Sequence, residues 1–214
     1  SRIQGTRLLV ETLNTLDAPP KVLINASAMG YYGSQGDRLL DETSPNGTGF
    51  LAKLCHDWEK EALKAQTADT RVVLYRIGLI LSVQGGALKK MLPPFKLGLG
   101  GVLGNPHAYI SWIDMNDLIQ GLHFCLSNKN IQGPINAMAP NPVTNREFTK
   151  TLGKVLHRPT PFPLPPLMVK LLFGEMGQEL LLSSIRAIPA HLIAAGFPFS
   201  CPTLEESLNA QIHP

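Results

Sequence analysis

Two short apolar runs set between helical patterns constrain this chain more than any other feature in it. Val22-Leu23-Ile24 and the β-branched, apolar stretch Arg71 to Ile77 are short and almost uninterrupted, which reads as strands buried on both faces. An amphipathic helical pattern over about residues 2–16 precedes the first run, with Ile3, Leu8, Leu9, Leu13 and Leu16 as its apolar positions. A second pattern spans Gly49 to Ala65, with Trp58 and Leu63 on its expected buried side. Helices alternating with apolar strands give a parallel α/β sheet. In open sheets of that kind, ligands bind in the crevice beyond the carboxyl ends of the strands.

The first strand, expected over Lys21 to Ala26, runs into Ser27-Ala28-Met29-Gly30-Tyr31-Tyr32-Gly33. It therefore delivers a hydroxyl, a glycine turn and two phenols to that crevice. Such groups can polarise a carbonyl or carry a proton; the plainer alternative is a strand followed by a glycine turn with two packed aromatics.

Further along, Ala87 to Leu92 reads as a short helix that Pro93-Pro94 should end. The glycine-dense stretch Leu97 to Pro106 lacks the strand-before, helix-after setting of a dinucleotide fingerprint. It reads as a loop or hairpin able to close over a substrate. Tyr109 to Ile113 and Pro134 to Met138 read as strands, with Asp117 capping a helix through Leu126. Thr144-Asn145-Arg146-Glu147 fits a capping box ahead of a helix to about Val155. A proline-rich connector follows, then helices over about 167–173, 178–184, 190–195 and 204–210. The organisation is thus a sheet domain over residues 1–142 and a small helical part over 143–214.

Composition removes several function classes. With 214 residues, 44% of them hydrophobic and 16% charged, the chain has the apolar mass for a full core. The net charge of +3 is scattered, so no nucleic-acid footprint appears. No apolar stretch approaches the roughly 18 residues of a membrane span. Cys55, Cys125 and Cys201 form no CxxC pair, and the histidines show no metal spacing. The reading is a cytoplasmic protein with no disulfide framework and no metal site.

Taken together, several motifs resemble the extended short-chain dehydrogenase/reductases, the NAD-dependent epimerase/dehydratase superfamily. More narrowly, they resemble an epimerase-like branch of unassigned activity. The motifs are Ser27 to Gly33, Phe50-Leu51-Ala52 with Trp58-Glu59, Arg76-Ile77-Gly78 and Gly85-Gly86-Ala87-Leu88. Gly98-Leu99-Gly100-Gly101, Trp112-Ile113, Asn136 to Pro140, and Ile188-Pro189 ahead of Ala194 to Phe197 complete them.

The resemblance implies a Rossmann-like domain binding NADP or NAD, a C-terminal part shaping the substrate pocket, and a small-molecule substrate. A homo-oligomer is compatible with it. The candidate catalytic groups are Ser27, by the motif, Tyr32 as a substitute for the family's acid, and Lys53 as a charge that could lower a phenol's pKa; the candidate cofactor contacts are Ala26, Ser27, Arg76 and Gly78. Trp58 and Glu59 read as a core anchor and a helix-surface partner.

Two departures from the family pattern stand out. The glycine-rich fingerprint of the family's first strand is absent, so the sequence is expected to start after that half of the fold. The family's Tyr-x-x-x-Lys pair is missing too. Its Tyr position falls on Gly49 or Leu51, its Lys position on Lys53 or Cys55, and its serine on Ala28 or Ser27. The expected function is an NAD(P)-dependent oxidoreductase or epimerase acting on a small or nucleotide-linked substrate. The alternative is a non-catalytic nucleotide-sensing or interaction protein on the same fold.

Overall fold

The computed structural model describes residues 1–161 and 183–213. Its centre is a parallel three-stranded sheet of β1 (Val22–Ala28), β3 (Arg71–Ile77) and β7 (Gly133–Ala137), with β3 in the middle. Helices α1 (Arg2–Leu13) and α2 (Phe50–Leu63) lie on one face. They enclose Val10, Ala62, Ala65, Val72 and Leu74. On the other face α4 (Met115–Ser127) and α6 (Ala190–Ala194) cover Val73, Tyr75, Ile113, Ile135 and Leu192. Alternate β3 residues thus enter opposite layers, which is why Val72 to Tyr75 are apolar throughout.

β1 extends two residues past its expected end because Ser27 and Ala28 pair in register with Arg76 and Ile77 of β3. It is an edge strand among the described residues. Beside it lies an apolar groove of about 220 Å³ lined by Ile24, Ala26, Tyr75, Ile77 and residues of α4.

The remaining strands are short. β2 (Leu39–Leu40) pairs with β9 (Arg186–Ala187), β4 (Leu79–Leu81) with β6 (Trp112–Asp114), and β5 (Tyr109–Ile110) with β8 (Val143–Thr144). Ser111 interrupts the single strand expected over 109–113. Helices α5 (Asn145–Val155) and α7 (Leu204–Ile212) both begin with capping boxes, at Thr144 and Thr203. They share a core with Leu81, Leu88, Phe95 and Trp112, so that core straddles the boundary expected at residue 142. The helix expected over 167–173 lies outside the described residues, as does that over 178–184 save for Ser183 and Ser184.

Other expectations are corrected by packing. Helix α3 runs from Gly86 to Lys96, straight through Pro93 and Pro94. Two interior prolines cost about 6 kcal/mol together. Burial of Leu88, Met91, Leu92 and Phe95 returns about 1.5–3 kcal/mol for each side chain, which outweighs them. The cap of α4 is Asp114, accepting from Asn116 N at 2.8 Å. Asp117 instead accepts from Ser200 N and Cys201 N at 2.8 and 3.0 Å, fastening the C-terminal segment to α4. Leu63 is 40% exposed. Trp58 is half-buried and donates to Thr6 Oγ1 at 2.8 Å, so it joins α1 to α2 and is not a deep anchor.

The turn after β1 depends on a close backbone approach. A Cβ on Gly47 would stand 1.9 Å from the Tyr32 carbonyl oxygen. A Cβ on Gly5 of α1 would meet nothing within 4 Å. Urea unfolding should therefore show Gly47→Ala destabilised by roughly 4 kcal/mol or more. Gly5→Ala should be stabilised by about 0.5–1 kcal/mol.

Candidate functional site

Strand register places three polar residues in a row at the carboxyl ends of the sheet. Ser27 of β1 lies opposite Arg76 of β3, and Arg76 opposite Asn136 of β7. All three are buried, at 4%, 3% and 0% exposure. Burying an unpaired guanidinium is prohibitive, and α2 supplies the partner. Arg76 donates to both carboxylate oxygens of Glu59, from Nε at 2.9 Å and from Nη2 at 2.8 Å. This is the bidentate geometry that suits a buried pair. Ser27 Oγ donates to Glu59 Oε1 at 2.6 Å.

The third side of the guanidinium faces the turn that follows β1. Arg76 Nη1 donates to Tyr32 OH at 3.0 Å, and Tyr32 donates to Asn136 Oδ1 at 2.7 Å. Arg76 Cζ lies 3.5 Å from the centroid of the Tyr31 ring. Glu42 closes the far end: its Oε1 accepts from Asn136 N at 3.0 Å and His191 N at 3.3 Å. Its Oε2 is buried without a partner among the described residues.

This environment sets the titrations. Burial pushes the Tyr32 phenol up to about 12, against the lowering pull of Arg76. Burial also pushes the Cys55 thiol up. For Arg76 burial works toward neutrality, but Glu59 and Tyr32 more than offset it and hold the guanidinium charged.

Next to this row, Gly30, Gly33, Ser34, Thr48, Leu51 and Ala52 help to line a cavity of about 190 Å³. It sits between the turn after β1 and the start of α2. That volume suits one ring or a small carbonyl compound and is below the 300–1,000 Å³ typical of sites for larger ligands.

The structure brings Ser27, Tyr32 and Arg76 together but not Lys53. Lys53 is exposed and pairs with Asp57 at 3.0 Å, one helical position off the buried stripe of α2. Leu51 and Cys55 of α2 stand against Gly30 of the turn after β1: a Cβ on Gly30 would stand 3.3 Å from Leu51 Cβ and 3.8 Å from Cys55 Sγ. Neither is a tyrosine or a lysine.

Several expected roles are revised by these contacts. Arg76 is spent on Glu59 and Tyr32, so it is a framework residue and not a free phosphate ligand. A Cβ on Gly78 would stand 2.9 Å from Ser111 O and 3.1 Å from Met138 Cγ, which makes it a packing glycine. Ala26 and Ser27 point to opposite sheet faces, with Ala26 in the apolar groove and Ser27 in the polar row. They do not form one contact surface. Tyr32 is 0% exposed with its hydroxyl bonded on both sides, a poor position for direct proton transfer.

The sequence reading gives Glu59 only a helix-surface role, names Asn136 only as part of a motif, and does not name Glu42. A signal for Glu59 did exist. It shares the 3–4 spacing of the buried positions Ala52, Cys55 and Ala62, so a carboxylate on that stripe had to meet a buried cation.

Comparison with known proteins bears on what this row belongs to. An epimerase family protein of Mycobacterium bovis is 47% identical over 209 residues, which are 98% of this chain and 69% of that protein. The chain belongs to the epimerase family. Residues 164–211 of this epimerase-family chain match a domain of unknown function, DUF1731. The crystal structure of human epimerase family protein SDR39U1 (isoform 2) with NADPH superposes with a TM-score of 0.91 at 34% identity. That match covers 99% of this chain and 72% of the human one. A nucleoside-diphosphate sugar epimerase from Corynebacterium glutamicum gives a TM-score of 0.80 at 33% identity, over 99% of this chain and 41% of that one. The fold is the Rossmann-like fold of the NAD-dependent epimerase/dehydratase superfamily. No helix among the described residues is long and apolar enough to cross a membrane.

Two predictions follow from the buried row. Glu59→Gln leaves Arg76 buried with its charge uncompensated and should lower unfolding free energy by about 3–5 kcal/mol. Glu59→Leu combined with Arg76→Met should recover most of that loss in the same denaturation assay. Tyr32 should contribute no tyrosinate absorbance until pH nears about 12. Its raised value means that its stabilisation is complete below the unfolded-chain value of about 10 and fades as pH climbs through the folded value. Tyr32→Phe should flatten that alkaline slope of stability against pH.

Proposed function

We propose that this chain forms the strand-end and C-terminal part of an NAD(P)-dependent oxidoreductase or epimerase acting on a small or nucleotide-linked carbonyl or sugar substrate. The observation that carries the reading is the polar row Ser27–Arg76–Asn136 at the carboxyl ends of a parallel sheet, beside a cavity of about 190 Å³. That is where the architecture places ligands. The NADPH complex of the human relative and the nucleoside-diphosphate sugar epimerase relative support the cofactor and the substrate class.

The residues present fit the reacting end of such a cofactor. The cavity holds a single ring or carbonyl group, and Thr48, Ser34 and Leu51 stand at its wall. A bound nicotinamide would supply or accept hydride. This chain's residues would orient the substrate, with Ser27 and Tyr32 acting from within the buried network, through the shape it gives the turn. Lys53 would act only from the surface.

A second reading is a nucleotide sensor without turnover. It is favoured by one observation: Leu51 and Cys55, the α2 residues set against Gly30, are neither tyrosine nor lysine. Calorimetric titration of NADPH and NADH into the full-length gene product, followed by a carbonyl panel, separates the two. The enzyme reading expects binding of at least one cofactor and its consumption with at least one carbonyl compound. Binding without turnover across the panel favours the sensor, and no binding of either cofactor sinks both.

A further inference from the structure

We infer that Tyr31, the neighbour of the tyrosine that the motif points to, is the proton-transferring group of this site. The inference rests on the NAD(P)-dependent reading above and names the acid/base that reading lacks. Tyr32 is closed off, with 0% exposure and a hydroxyl held between Arg76 and Asn136. Tyr75 on β3 is also buried, with its hydroxyl donated to Leu118 O at 2.9 Å. On α2, Leu51 cannot ionise and the Cys55 thiol is buried. Lys53 is tied to Asp57 at the surface.

Tyr31 differs from all of these. It is half-buried in the turn Met29–Tyr32 directly after β1. Its hydroxyl makes no hydrogen bond among the described residues, yet the rest of the residue is clamped. Its carbonyl accepts from Gly47 N at 3.0 Å and Asn46 Nδ2 at 2.8 Å. Its ring lies against the Arg76 guanidinium at 3.5 Å and meets the edge of Tyr32 at 5.4 Å. An unengaged phenol at a surface is ordinary. One whose ring is fixed by a buried ion pair at a strand end is pre-organised, as a reacting group must be.

The groups that face Tyr31 are few. Arg76 approaches from β3 and Tyr32 from the same turn. His56 approaches from α2, its ring centroid 6.4 Å away. Glu59 lies behind Arg76 and neutralises it, so the guanidinium acts on Tyr31 chiefly by fixing the ring plane. Arg76 and Glu59 are positioning residues. In carbonyl reduction, a hydride from reduced nicotinamide bonds to the carbonyl carbon as the π pair moves to oxygen. That oxygen takes the Tyr31 proton, and the phenolate regains a proton from water. In the oxidative direction the Tyr31 phenolate accepts the hydroxyl proton as hydride leaves carbon.

The test uses the full-length gene product and NADP⁺ as the probe. The positive nicotinamide ring should favour the phenolate of a phenol that faces it. At about pH 9, below the ordinary tyrosine midpoint, saturating NADP⁺ should raise tyrosinate absorbance and release protons into weak buffer. Tyr31→Phe should reduce this signal at least about tenfold while circular dichroism stays unchanged. Tyr31→Phe keeps the ring and breaks no hydrogen bond among the described residues, so folding should survive. Binding of NADP⁺ without the signal, or a signal that persists in Tyr31→Phe, overturns this inference alone. Absence of binding by both NADP⁺ and NAD⁺ overturns the cofactor reading, and this inference falls with it.

Discussion

A buried arginine on the central strand organises the carboxyl end of this sheet. Arg76 arrives there because its strand is apolar on both faces and its register is fixed by pairing with β1 and β7. Once buried, the guanidinium must be neutralised and every donor given an acceptor. Glu59 answers the charge, which fixes the rotation of α2 about its axis. Tyr32 and the Glu42 carbonyl answer the remaining nitrogen, which fixes the turn after β1. A buried ion pair gains little stability against an apolar pair of the same shape. Its effect lies in specifying one arrangement of strand, turn and helix.

That arrangement connects the two parts of the chain as well. Asn136 Nδ2 donates to Ile188 O at 2.9 Å, and Glu42 accepts from both Asn136 N and His191 N. The C-terminal segment is thus hydrogen-bonded to the same polar row that shapes the crevice. Asp114 and Asp117 add a second attachment: Asp114 accepts from Ser207 Oγ at 2.7 Å, and Asp117 from the backbone at Ser200 and Cys201. These bonds fix the backbone at Ile188, His191, Ser200 and Cys201 relative to the strand ends and α4.

Much of the fold was legible in the sequence. The β3 strand, the capping box at Thr144 and the parallel α/β class could be read because each rests on local pattern: apolar runs, side-chain caps, helical spacing. The misreadings share a cause. Pro93 and Pro94 argue for a helix end, and lost to the burial of Leu88 and Phe95 on either side of them. Asp117 looks like a cap, but its carboxylate was claimed by a segment more than eighty residues away. At the strand end, Ser27 and Tyr32 could be named together from the sequence because they stand in one short stretch. Glu59 was read as a surface residue because its partner lies on another element.

The sequence by itself determined the alternation of strands and helices, the strand end where a ligand crevice forms, and the family to which the motifs point. These follow from residue type and spacing along the chain. The tertiary structure alone decided which polar groups are committed and which are free. It commits Arg76 to Glu59 and the Tyr32 hydroxyl to Asn136, sends Lys53 to the surface, and leaves the Tyr31 hydroxyl unengaged among the described residues. The physical reason is that a buried charge or hydroxyl takes whatever partner strand register and helix rotation bring within about 3 Å. Neither register nor rotation is written in the spacing of one segment.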